Sequence, residues 1–356
     1  MKAAIVMGTR PEIIKLSPII HQLDKNNTSV IFTGQHYDYN LSMQFVEELG
    51  IRKPDYWMEL TKSNPSIQVG EIIIKLARIL QKLDPDTVLV EGDTNTVLAA
   101  SIAALKSGIR VSHVEAGPRS FDWRMPEEHN RIQVDHISEL LFAPSLYAKK
   151  NLLSEHVHGK IFVTGNTVID AIQLYADKAP KKSNFSLDMD NFILMTLHRT
   201  ENVDDKNTLS GIVKAILYSK QDIIFPVHPH TAERLRQFGL YDILNDSENI
   251  LLIKPVGYFD MLELMKKCSY IITDSGGIQQ EATSPKIRKK VLVVRKTTDS
   301  PEAVMAGVAE VVGIQPGKIL AAIKKTSKNP KVYTKSMPYG NGNAAKKIIK
   351  ILKKYY

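Results

Sequence analysis

The sequence has one cysteine, Cys268, two tryptophans, and no apolar run near the length of a membrane span. A single cysteine excludes an intrachain disulfide framework and a cysteine-rich metal site, and it suits a reducing cytoplasm. The opening stretch Lys2 to Met7 breaks at Gly8-Thr9-Arg10. That is too short for a secretory leader and far too short to cross a bilayer, so no membrane partner is expected. His and Cys are not spaced as metal ligands are, so no metal is expected either. Acidic charge is in deficit, leaving a formal net charge of +9. A nucleic-acid binder would cluster that excess among aromatics. Here lysine is scattered, with local density at Lys286 to Lys290 and Lys346 to Lys354. Solvated helix faces account for this pattern, and the field they create helps attract an anionic substrate; no nucleic-acid partner is expected.

What is present is the composition of a globular protein, 43% hydrophobic and 24% charged over 356 residues. That length calls for more than one core. Short apolar runs alternate with amphipathic stretches. Strands are expected at Ala3–Met7, Val30–Thr33, Thr87–Glu91, Val111–Val114, Leu141–Ala143 and Ile161–Thr164, with helices between them such as Gln68–Leu83 and Thr96–Leu105. After the helical stretch Val168–Asp177 and a polar linker, Lys178–Asp190, the series restarts at Asn191–Thr196, Asp222–Pro226, Ile250–Leu252, Ser269–Thr273 and Lys290–Val294. Strand–helix repetition of this kind builds parallel sheets covered on both faces. The expected fold is therefore α/β, with two Rossmann-like domains facing across a ligand cleft. Their bounds are residues 1–170 and 171–342, with a C-terminal helix over 343–356 packing back on the first domain.

One stretch points to a ligand. Tyr270 to Thr273 runs into Asp274-Ser275-Gly276-Gly277, and a helical start follows with Glu281 one turn on. Glycines permit close backbone approach, and the free N–H groups of a first helical turn favour an anion. Glu281 is placed to hold ribose hydroxyls, so a nucleoside diphosphate fits. An ordinary strand–helix turn with a serine N-cap would read the same way. The balance is moved by the other polar clusters, each of which falls at the end of an expected strand: Gly8 to Glu12, Gly92 to Thr96, His113 to Gly117, Gly165 to Thr167, His198-Arg199 and His228 to His230. In doubly wound sheets ligands sit beyond the carboxyl ends of strands.

Taken in order, Gly8-Thr9-Arg10-Pro11-Glu12-Ile13-Ile14-Lys15, Gly92 to Thr96, His113 to Gly117, Met125-Pro126-Glu127-Glu128 with Asn130-Arg131, Gly165 to Asp170 and Thr273 to Ile278 resemble the non-hydrolysing UDP-N-acetylglucosamine 2-epimerases over nearly the whole chain. The resemblance implies a glycosyltransferase-B-like fold and a cytoplasmic homodimer. It implies interconversion of UDP-N-acetylglucosamine and UDP-N-acetylmannosamine with no cofactor, by elimination of UDP to 2-acetamidoglucal and re-addition.

That chemistry needs a base at C2, an acid on the other face, and cations at the leaving diphosphate. By the family pattern Asp93, Glu115 and Glu127 are the three acids, and the face each one serves is left open. Each also has a plainer role: Asp93 as a helix N-cap, Glu127 as a first-turn acid. Glu115 stands between Val114 and Ala116, which predicts enclosure. Arg10 and His198 match the family's diphosphate-side residues, and His198 joins the acids as catalytic. Lys15, Arg199, His228, Ser275, Gly276, Gly277 and Glu281 complete the expected substrate-binding set. Lys15 could equally be a solvated helix lysine.

This sequence departs from the family pattern at Pro118, Trp123, Met261 and Ser300, and in a longer segment over Thr283–Lys290. Where bacterial relatives use a glutamine-rich turn to bind an activating second UDP-N-acetylglucosamine, it reads Gln35-His36-Tyr37-Asp38. Three other functions fit parts of the pattern: a retaining glycosyltransferase, a hydrolysing epimerase, and a nucleotide-sugar sensor. The three acids speak against the first and third. Relatives acting on UDP-diacetamido-uronic acids differ after the first strand, and Gly8 to Glu12 favours the N-acetylglucosamine substrate.

Overall fold

The computed structural model describes residues 1–35, 39–61, 64–183 and 191–356. Residues 36–38 of the activator-type turn, and 184–190 of the polar linker, lie outside that set.

The short runs of Val, Ile, Leu and Ala form two parallel sheets. The first contains β1 (Ala3–Met7), β2 (Thr28–Phe32), β3 (Tyr56–Trp57), β4 (Thr87–Glu91), β5 (Arg110–Val114), β6 (Leu140–Ala143) and β7 (Lys160–Val163). Its order is β3-β2-β1-β4-β5-β6-β7. The second contains β8 (Ile193–Thr196), β9 (Ile223–Pro226), β10 (Ile250–Ile253), β11 (Tyr270–Thr273), β12 (Val291–Val293) and β13 (Ala309–Val311), in the order β10-β9-β8-β11-β12-β13. All pairings are parallel; Ile5, for example, stands opposite Val30 on one side and Leu89 on the other. Every residue of β1 and β4 is buried, because helices cover both faces.

Two strands escape a sequence reading. β3 is two residues long and half-buried, and β13 is three residues long. Both are edge strands, too short to carry a periodic signal.

The chain divides into two compact units, Met1–Ala171 with Tyr339–Tyr356, and Ile172–Pro338. In the first, the helix Asn95–Lys106 brings Ala99, Ala100, Ala103 and Ala104 against its neighbours, and these small side chains let it sit against β1, β4 and β5 and two flanking helices. In the second, Ile193, Met195, Ile223, Phe225, Ile272 and Leu292 form the core. The returning C-terminal segment is gripped by the Gly165-Asn166-Thr167 turn. Asn166 donates its N–H to Tyr339 O at 2.9 Å. Gly165 has φ +95°, and a Cβ there would stand 2.9 Å from the same oxygen, so glycine is required. Asp170 then caps the last helix, Ala344–Tyr355, accepting from the N–H groups of Ala344 at 3.1 Å and Ala345 at 2.9 Å. That helix packs on Arg10–Ile20.

In each sheet the strand order reverses once, between β1 and β4 and between β8 and β11. Such switch points open a crevice at the carboxyl ends of the strands. Among the described residues, no helix is long and apolar enough to cross a membrane.

Candidate active site

In the first unit, ionisable side chains gather where β1, β4 and β5 end. Lys15, one turn into the helix Arg10–Ile20, turns inward instead of facing solvent. Its Nζ donates to Glu115 Oε2 at 2.6 Å and stands 3.1 Å from Glu91 Oε1. The lysine and Glu115 side chains are each 13% exposed and that of Glu91 only 1%. Asn166 Nδ2 donates to the same Glu115 oxygen at 2.9 Å. Burial works against the Glu115 charge, but Lys15 and these hydrogen bonds outweigh it and hold the carboxyl below its usual range. Burial instead pushes Glu91 well above its usual range, and Lys15 offsets this only in part. Glu115 has φ +66°, a left-handed conformation that is uncommon outside glycine and gathers at functional positions.

Asp93 lies in the loop after β4 and forms an ion pair with Arg131 of the helix Pro126–Ile137. It is not the cap of the following helix. Thr94 is, through its hydroxyl and the Val97 N–H. Glu127 is half-buried in the first turn of Pro126–Ile137 and has no hydrogen-bond or ion-pair partner among the described residues. Its neighbour Glu128 is fully buried and structural. It accepts from Ser120 N and Oγ, from Phe121 N, and from Arg131 Nη1 at 3.0 Å. Arg10 is exposed at the head of its helix and lies over the Phe45 ring, 4.6 Å from the centroid.

Glu12, in the same helix, had no role in the sequence reading and is 1% exposed. It accepts from Gly8 N at 2.6 Å, Thr9 Oγ1 at 2.8 Å and Thr94 Oγ1 at 2.7 Å, tying the ends of β1 and β4 together. Burial pushes its carboxyl up to about 7 against those donors.

In the second unit Asp274 is the organising residue. It is fully buried after β11 and accepts from His198 N at 3.1 Å, Arg199 N at 3.0 Å and Asn202 Nδ2 at 3.1 Å. His198 Nδ1 lies 3.3 Å from it, with the ring 39% exposed. Burial of the ring, with the Arg199 and Arg295 charges, outweighs Asp274 and lowers the His198 pKa. The exposed His228 caps the helix Pro229–Gln237, its ring 6.1 Å from that of His198. Ser275 caps the short helix Gly276–Glu281, which ends at the half-buried Glu281. The space a Cβ on Gly276 would need is taken by Asp299, 2.4 Å away, so this glycine makes room for a carboxylate of its own unit. At Gly277 a Cβ would meet nothing nearer than 3.8 Å. Asp299 also contacts Arg199 Nη2 at 3.4 Å and Arg295 Nη1 at 3.3 Å.

The structure thus brings together Lys15, Glu115 and Asn166, and Asp93 with Arg131. In the second unit it brings together His198, Arg199 and His228. Sequence reading missed Glu12, Glu91, Arg131 and Asp274 as members of these clusters. Glu91 had a signal, an acid closing an otherwise apolar strand.

Two doubly wound α/β units, each with charged groups at its switch point, define the glycosyltransferase-B-like class of fold. A family model described as UDP-N-acetylglucosamine 2-epimerase matches residues 20–353. The UDP-N-acetylglucosamine 2-epimerase of Methanocaldococcus jannaschii is 44% identical, with 99% of each chain covered. A crystal structure of the M. jannaschii UDP-GlcNAc 2-epimerase in complex with UDP-GlcNAc and UDP superposes with a TM-score of 0.91 at 43% identity, covering 99% of this chain and 100% of that one. The UDP-2,3-diacetamido-2,3-dideoxy-D-glucuronate 2-epimerase of Pseudomonas aeruginosa is 35% identical, covering 99% of this chain and all of the relative. The chain belongs to the UDP-N-acetylglucosamine 2-epimerase family.

Proposed function

We propose that this chain interconverts UDP-N-acetylglucosamine and UDP-N-acetylmannosamine by proton exchange at C2, without hydrolysis. A carboxylate takes the C2 proton, the C1–C2 double bond forms, and the C1–oxygen bond to UDP breaks. The products are UDP and 2-acetamidoglucal. In the return step a diphosphate oxygen adds to C1 and a proton reaches C2 from the opposite face, so no water is consumed.

The observation that carries this reading is the convergence of Lys15, Glu115 and Asn166 at the ends of β1 and β5, in a chain matched end to end by 2-epimerases. Glu115, held as a carboxylate, is suited to exchange a proton. Asp93, paired with Arg131, and Glu127, which has no partner among the described residues, are the candidates for the other face. Arg10, Lys15, His198, Arg199 and His228 supply positive charge or donors for the departing diphosphate, and the Ser275–Gly277 turn supplies N–H groups. Glu281 is assigned to the ribose. The same reading makes the enzyme a cytoplasmic homodimer.

Proton NMR of the protein with UDP-N-acetylglucosamine in heavy water tests this. UDP-N-acetylmannosamine deuterated at C2 is the expected product. Free N-acetylmannosamine with UDP would make the enzyme hydrolysing. Turnover of the diacetamido-glucuronate nucleotide alone would transfer it to the other substrate class.

A further inference from the structure

Glu91 is a buried ionisable group that the mechanism above leaves without a role. It ends β4, it is 1% exposed, and it faces Lys15 at 3.1 Å. Its Oε1 accepts no well-directed hydrogen bond, so the contact is one of charge. The same ammonium is bonded to Glu115 at 2.6 Å. One cation therefore serves two carboxylates, of which only Glu115 has the further support of Asn166. The other ionisable groups around Glu91 are already committed. Glu12 of the helix Arg10–Ile20 is held by Gly8, Thr9 and Thr94. Asp93 is paired with Arg131. His113 of β5 lies between Asp135 and the Gly92 carbonyl, 2.8 Å from the latter. Lys15 is the cation that faces Glu91, and it is shared with Glu115.

We propose that Glu91 is a positioning residue for the proposed epimerisation: by competing with Glu115 for Lys15, it sets how tightly the ammonium holds the Glu115 carboxylate and thus how strong a base Glu115 is. Two carboxylates on one buried ammonium titrate as a pair, each disfavouring the charge of the other. Burial penalises the Glu91 charge most, so Glu91 takes the first proton and Glu115 stays ionised into the acid range. With Glu91 removed, Lys15 belongs to Glu115 alone. That carboxylate is then fixed as the weaker base that wild type has only once Glu91 is protonated, which slows proton removal above the Glu91 titration.

The inference rests on the epimerase reading, so its test has two arms. In the first, kcat and kcat/KM for C2 exchange are followed against pH in wild type, Glu91→Gln and Glu91→Asp. In Glu91→Gln the rate step at the Glu91 titration should disappear and kcat on the plateau above it fall about tenfold, with KM within about twofold, while the lower limb, at the Glu115 titration, stays in place. Glu91→Asp keeps the charge and should restore most of both. A rate step that persists in Glu91→Gln, an unchanged plateau kcat, or a change confined to KM overturns the proposal. The second arm needs no turnover and no substitution at Glu91. Carboxyl-carbon NMR of glutamate-labelled wild type should show two buried carboxyls titrating as a coupled pair. In Glu115→Gln one signal disappears and the midpoint of the other, Glu91, moves down. Independent titration overturns the proposal even if Glu91→Gln does not fold. A wild type that exchanges no C2 proton but shows the coupled pair would overturn the epimerase reading and leave the competition for Lys15 standing.

Discussion

His113 Nδ1 lies 2.7 Å from Asp135 Oδ1, and neither side chain has any exposed surface. The pair joins β5 to the helix Pro126–Ile137 and fixes the turn that carries Glu115. Asp135 Oδ2 accepts from Gly117 N at 3.1 Å and Arg119 Nη2 at 2.7 Å. The other nitrogen of His113 reaches the Gly92 carbonyl, next to Asp93, at 2.8 Å. A network wholly within the fold thus sets the backbone on either side of two candidate acids.

Asp135→Asn should lower stability at neutral pH by about 3–5 kcal/mol, the cost of stripping one partner from a buried ion pair. Burial opposes the Asp135 charge, but His113 and Arg119 outweigh it and hold the carboxyl below its usual range. A depressed acid contributes stability above its unfolded pKa and loses it as pH falls through the folded value. Urea denaturation should therefore find wild type and variant furthest apart above about pH 5, converging below about pH 4. A gap that widens in acid would contradict this.

Glu115→Gln should retain UDP binding within about threefold and lose about 10²- to 10⁴-fold in turnover, the usual worth of a positioned acid or base. Calorimetric titration with UDP and C2 exchange in heavy water give the two numbers. A variant that turns over at the wild-type rate would remove Glu115 from the chemistry.

Glu12 tests the opposite sign. Its carboxyl is pushed up to about 7 from an ordinary 4.5, so the folded state holds an extra proton between those values. Wild type should lose stability relative to Glu12→Gln as pH rises from about 4.5 to 7, by a few kcal/mol. Denaturation curves of both proteins across that window decide it; parallel curves would mean that the three donors keep Glu12 charged throughout.

Gly276→Ala should weaken UDP binding about tenfold or more. A Cβ there would stand 2.4 Å from Asp299 Oδ1, and Asp299 also holds Arg199 and Arg295. Displacing it moves Arg199, and overpacking of this kind costs about 1–3 kcal/mol. Calorimetry with UDP checks the affinity and thermal unfolding checks the strain. Gly277→Ala is the control, since a Cβ there meets no atom within 3.4 Å and should be tolerated.

Most strands and their parallel pairing were legible because fully buried strands read as unbroken apolar runs between polar turns. The turns themselves were legible as candidate sites because a ligand needs polar groups at strand ends. The two shortest edge strands, β3 and β13, were not legible, nor was the kind of work each charged residue does. Lys15 and a solvated helix lysine have the same local pattern. Glu127 and Glu128 are neighbours of one type, yet one is half-buried with no partner among the described residues while the other is locked inside the loop it supports. Asp93 had the cap of the next helix as its plainer role, and only backbone geometry gave that place to Thr94.

By itself the sequence determined the repeating strand–helix order, the two sheets, and the residue types waiting at their carboxyl ends, since these follow from local periodicity and turn chemistry. Tertiary structure decided which charges meet. Lys15 and Glu115 are a hundred residues apart, and Asp274 reaches His198 from 76 residues away. Such pairs arise from strand order, which sequence periodicity does not encode. Their energies depend on burial, which only the packed sheets and helices create.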